Sequence, residues 1–156
     1  MKTQDYHTSI MFDGTALEAF TAINSVTKWW TENLEGSSQK LNDEFTVHFG
    51  TTWKIFKVTE FVPGKKVMWL VTDCYLPWNV DKTEWKGTKI SFEIAEKGSE
   101  TKIHFTHIGL VPEVPCFDVC SNAWSEYIQG SLLNLIKTGK GQPARKEDKT
   151  MNKIKS

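Results

Sequence analysis

The chain has 156 residues, of which 39% are hydrophobic and 24% charged, and its formal net charge at pH 7 is zero. That length supports one domain with a sizeable core. The charge balance excludes a global field favouring nucleic acid or anionic membrane, and the longest purely apolar run, "VMWLV", is far too short to cross a bilayer.

In chain order, "YHTSIMF" alternates loosely and predicts a strand. "DGTALEAFTAI" places Ala16, Phe20 and Ile23 at helical spacing and predicts a short helix. "NSVTKWW" predicts a second, capped by Asn24 or Ser25. In "EFTVHFG" Phe45, Val47 and Phe49 share one face. "TWKIFKVTEFV" is a long strand that turns at Pro63-Gly64 into the return strand "KKVMWLVTDCY". The loop "LPWNVDKTEW" carries Trp78 and Trp85. They flank a polar stretch and are placed either to gate a pocket or to pack over the sheet edge.

"GTKISFEIAEKGSETKIHFTHIGL" is a second hairpin, turning near "EKGSE". Ile90, Phe92 and Ile94 share a face on its first arm, and Ile103, Phe105 and His107 share one on its second. Last comes the longest helical run. Pro115 opens it, Phe117, Cys120, Trp124, Ile128, Ser131 and Leu135 form a stripe with Leu132 and Ile136 beside it, and Gly139 closes it.

Hairpins imply an antiparallel sheet, and strands gathered before a terminal helix imply an α+β fold. The expected architecture is a single domain over residues 1–141: a curved sheet of about six to seven strands, two short helices after the first strand, and a long C-terminal helix covering the apolar face. From Lys137 onward the chain has seven Lys/Arg against two Asp/Glu. Residues 142–156 therefore read as a basic, flexible tail. No aromatic residue is interleaved with its lysines, which argues against nucleic acid as a partner. Three cysteines and an N-terminus, "MKTQDYHTSI", without an apolar leader suggest reduced thiols and a cytoplasmic location.

Four segments carry a resemblance: "VTKWWTE", "KVTEFVPGKKVMWLV", "TKIHFTHIGL" and "WSEYIQGSLLNLIKTGKG". With them the chain resembles the START-like (SRPBCC) superfamily, and within it the branch named for activators of the heat-shock protein 90 ATPase. The resemblance covers most of residues 5–141 and contains no catalytic signature. It implies a helix-grip fold, in which the sheet grips the C-terminal helix, often around a cavity.

Phe49, Trp69, Phe92, Phe105 and Trp124 would then either line that cavity or fill it, with Cys120 on the helix and His107 as the polar group for a ligand. His107 otherwise reads as a structural histidine bonded to the backbone. His104 and His107, three apart on a strand, face opposite ways and are not a metal pair. Cys116, Cys120 and His107 lack the spacing of a zinc knuckle, and a Cys120–His107 nucleophile pair lacks a third, orienting group. Glu60 becomes a buried carboxylate only if the face of Phe56 and Val58 is inward, and apolar residues on both faces of that strand leave the register open.

No catalytic residue, metal or cofactor is assigned. The leading expectation is binding of a small, mostly apolar molecule, lipid-like or aromatic. A chaperone-associated partner protein stands second, because the separate chaperone-binding domain that precedes this unit in the eukaryotic activators has no counterpart before the first strand. A cyclase- or aromatase-like enzyme stands third.

Overall fold

The computed structural model describes residues 4–144. Seven strands form one antiparallel sheet: β1 (Tyr6–Asp13), β2 (Leu34–Gly36), β3 (Glu44–Phe49), β4 (Thr52–Val62), β5 (Lys66–Tyr75), β6 (Lys89–Lys97) and β7 (Glu100–Ile108). Their spatial order is β1-β7-β6-β5-β4-β3-β2, so the first strand closes one edge by pairing with the last. Only β2, three residues long, had no counterpart in the sequence pattern.

Period-two alternation sends one set of side chains inward. Phe45, Val47 and Phe49 point inward from β3, Ile90, Phe92 and Ile94 from β6, and Ile103, Phe105 and His107 from β7, all buried. On β4 the inward set is Thr52, Lys54, Phe56 and Val58. The pairing of β4 with β5 then shifts register between Val58 and Glu60. The inserted residue flips the strand, and Glu60 comes out opposite Met68. Its side chain is 44% exposed, and its carboxylate lies 3.4 Å from Lys66 Nζ. Glu60 is thus a surface residue although its sequence spacing from Phe56 and Val58 is even.

Helix α1 (Ala16–Asn24) starts on a capping box: Thr15 Oγ1 accepts from the Glu18 N–H at 3.1 Å, and Glu18 accepts from the Thr15 N–H at 2.8 Å. It buries Ala19, Phe20, Ala22 and Ile23. The short α2 (Val26–Trp29) follows and drives Trp29 and Trp30 into the core.

The C-terminal helix runs unbroken over 117–138 as α3 (Phe117–Ser125), a π-helical stretch (Glu126–Leu132) and α4 (Leu133–Thr138). Cys120, Trp124, Tyr127, Ile128, Ser131 and Leu132 form its buried face. The π stretch takes more residues per turn, so the stripe continues through Leu132, and α4 has no fully buried residue. Leu135, expected on the stripe with Leu132, is only partly buried. Gly139 ends the helix in the left-handed conformation (φ 86°), its N–H bonded to the Leu135 carbonyl at 2.9 Å.

The chain then returns to α2. Gln142 N–H donates to Ser131 Oγ at 2.6 Å, and Ala144 bridges to Thr31. Gly141 passes so close to the Lys28 carbonyl that a Cβ there would lie 2.3 Å from it. The rest of the expected tail, 145–156, lies outside the described residues. No helix among the described residues is long and apolar enough to cross a membrane.

A buried lysine in an aromatic box as candidate site

The grip encloses a continuous aromatic interior with Trp30 at its centre. The Trp30 ring lies 4.9 Å from Trp124, 5.7 Å from Phe49 and 6.1 Å from Trp69. Trp69 meets Phe92 at 5.1 Å, Phe92 meets Phe105 at 5.2 Å, and Phe105 meets Trp124 at 4.5 Å. The aromatic residues singled out from the sequence are therefore brought together in one network. Trp69, Phe92 and Phe105 form its floor.

Lys54 is on the same inward face and is 1% exposed. Its ammonium lies 4.2 Å from the centre of the Trp85 ring, 4.8 Å from Phe49 and 5.8 Å from Trp30. Cation–π contact with three rings offsets part of the cost of burying it. None of the ion pairs among the described residues includes Lys54. Burial therefore holds its pKa down from 10.5 to about 7, and the thiol of Cys74, opposite it on β5, only partly opposes that shift.

Beside Lys54 is a small, partly open space of about 10 Å³, walled by Trp30, Trp85, Cys120, Ala123, Trp124 and Tyr127. It has room for about one water molecule. Of the residues named from the sequence, Cys120 and Trp124 reach this space, and Phe49 borders it through Lys54. A separate groove of about 450 Å³ lies outside the grip, between α1 and α4.

His107 sits behind Trp124, fully buried. Trp124 Nε1–H donates to its Nδ1 at 3.0 Å. Nε2 must then carry the proton, and it donates to Thr88 Oγ1 at 2.9 Å. The Thr88 hydroxyl in turn donates to the Trp85 carbonyl at 2.6 Å. Burial first, and the Lys54 charge second, hold His107 at a pKa of about 3, so it is neutral. His104, on the opposite face, bonds Ser9 Oγ at 2.8 Å.

Cys116 and Cys120 are joined as a disulfide with a Cα–Cα distance of 5.5 Å. That corrects the expectation of reduced thiols for these two. Cys74 is free and buried.

Lys54, Trp30 and Tyr127 were not picked out from the sequence, whereas Trp85 was, as a residue placed to gate a pocket or to pack over the sheet edge. The signal for Lys54 was available: it stands two and four residues before Phe56 and Val58, at the spacing of an inward face. Trp85 is 3% exposed, and its ring packs on Trp124 at 5.8 Å and against His107 at 4.5 Å. Its indole N–H has no hydrogen-bond acceptor. Trp78, at the other side of the loop, is 39% exposed and donates to Thr52 Oγ1 at 2.9 Å.

No protein-family model matches the chain, and no curated protein matches it in sequence. Solved structures do match its fold. The Aha1 dimer from Colwellia psychrerythraea aligns with a TM-score of 0.74 at 24% identity, over 88% of this chain and 99% of that one. A protein from Staphylococcus saprophyticus aligns at 0.67 and 12% identity, over 91% and 98%. DynU16, from the dynemicin biosynthetic locus, aligns at 0.63 and 14% identity over 86% of this chain, which spans 48% of DynU16. The protein has a helix-grip fold, and the resemblance read in the sequence holds at the level of fold.

Proposed function

We propose that this chain binds a small, mostly apolar molecule, aromatic or lipid-like, between the sheet and the C-terminal helix, beside Lys54. The observation that carries this reading is the Lys54 amine: 1% exposed, outside every ion pair of the described residues, and next to a small unfilled space. A charge buried without a counter-ion costs stability and contributes nothing to packing that a methionine would not. Such groups cluster where a protein does chemistry or binds.

The space beside Lys54 is much smaller than a ligand pocket of about 300–1,000 Å³. A ligand therefore enters by displacing a wall. Trp85 is the wall that moves: it is carried on a loop between β5 and β6, whereas Trp30 follows α2 and Trp124 is part of the long helix. Its unpartnered indole N–H makes its burial the least favourable of the three. The backbone at Trp85 is tied down through Thr88, so the movement is a rotation of the ring.

Native mass spectrometry of protein purified gently from its own cells tests the reading. A small molecule that travels with the chain and is lost on Trp124→Ala supports it. A chain without any companion, which also takes up none from a cell extract, contradicts it. The second reading, a chaperone-associated partner protein, is favoured by the likeness to an Aha1 protein. Its test is whether the chain changes the ATPase rate of a heat-shock protein 90.

A further inference from the structure

We propose that the group by which the ligand is recognised is a carboxylate, paired with the Lys54 ammonium, so that the site takes an aromatic carboxylic acid. This rests on the binding reading above and adds the class of ligand.

Donors around the small space beside Lys54 lack a charged acceptor. Lys54 offers up to three N–H donors and no acceptor, and the Trp85 indole N–H leaves the site with its ring. None of the acceptors on the walls carries a charge: the Tyr127 hydroxyl, its pKa raised to about 12, stays neutral. His107 Nδ1 receives Trp124, and the Trp85 carbonyl receives the Thr88 hydroxyl. Cys120 is bonded to Cys116.

A ligand amine would meet the Lys54 charge at close range with only the neutral Tyr127 hydroxyl to receive it. A neutral hydroxyl would satisfy a donor and leave the charge uncompensated. A carboxylate supplies both the missing charge and the missing acceptors, in an interior where such a pair is poorly screened. The aromatic part follows from the walls: Trp30, Phe49 and Trp124 present ring surface on which another ring stacks.

Binding of a carboxylate favours the ammonium form of Lys54, which burial keeps partly neutral near pH 7. Affinity for the acid therefore falls as pH rises past about 7, with uptake of a proton on binding. The other titratable groups near Lys54 do not obscure this. Cys74 on β5 is raised above its ordinary 9.0, Tyr127 on the long helix is raised to about 12, and His107 on β7 is lowered to about 3.

The test is calorimetric titration with naphthalene-1-acetate and with its neutral amide, naphthalene-1-acetamide, at about pH 6 and about pH 8.5. It uses the native chain, Lys54→Met, and Trp85→Ala, in which the displaced ring is already gone. The acetate should bind the native and Trp85→Ala proteins about 10- to 100-fold more tightly than the amide at the lower pH. The preference should shrink at the higher pH and vanish in Lys54→Met, where the amide still binds. If both compounds bind alike, the carboxylate assignment is wrong and the binding reading stands. If neither binds native protein or Trp85→Ala, the binding reading fails, and the carboxylate with it.

Discussion

The indole N–H of Trp124 donates to Nδ1 of His107 at 3.0 Å, tying the C-terminal helix to the last strand. The bond fixes the tautomer of His107 and, through Thr88, holds the loop that carries Trp85. Both ring nitrogens of His107 are thus engaged within the protein, and the proposed ligand-facing polar group is Lys54.

Nitrogen NMR should accordingly find His107 neutral, with its proton on Nε2, well below its ordinary 6.5. The folded pKa is depressed to about 3. Between those values the unfolded chain binds a proton that the native chain does not, so stability is full above about pH 6.5 and falls toward about pH 3. Denaturant melts should show this slope, and His107→Gln should flatten it. Protonation of native His107 near 6.5 would mean that its ring is not held as described.

Lys54→Met should stabilise the protein at neutral pH. With a folded pKa of about 7 against the ordinary 10.5, the unfolded chain takes up a proton that the native chain does not throughout that interval. The native protein thus loses stability as pH falls from about 10.5 to about 7 and stays at the lower level below that. The full effect is on the order of 5 kcal/mol. The variant should lack this slope, so its advantage over the native chain should be largest below pH 7 and small near pH 10. Parallel stability profiles for the two proteins would show that Lys54 is already compensated in the fold.

The two leucines of the long helix should separate. Leu132 is fully buried at the end of the π stretch, whereas Leu135 is only partly covered. Leu132→Ala should cost about 2–5 kcal/mol in urea melts, and Leu135→Ala less than about half as much. Equal losses would place both on the same buried stripe.

Most of the fold was legible because alternation and helical spacing are local signals. Phe45, Val47 and Phe49, and Ile103, Phe105 and His107, could be assigned to one face by counting. What escaped depended on events that counting does not see. A bulge after Val58 turned Glu60 outward, and the π stretch turned Leu135 partly away from the sheet. β2 has three residues, too few to show alternation. At the site, the aromatic residues were visible as core, and His107 as an inward polar group. Its hydrogen bonds to Trp124 and Thr88 are contacts between distant segments, and sequence spacing is silent on them. Lys54 escaped because its strand carries apolar residues on both faces. Alternation puts Lys54 on the face of Phe56, and only the pairing with β5 shows that this face is the inward one shared with Trp69.

A ligand that enters the grip beside Lys54, as proposed, displaces Trp85. Fluorine NMR of protein labelled at its seven tryptophans, titrated with naphthalene-1-acetate, follows that displacement. The Trp85 signal should move toward the value of a solvent-exposed indole. Trp30 and Trp124 should shift with it through the new ring contact, while Trp53 and Trp78 stay where they are. Saturable binding that moves Trp53 or Trp78 and leaves Trp85, Trp30 and Trp124 unchanged would contradict it, as would the absence of any saturable change.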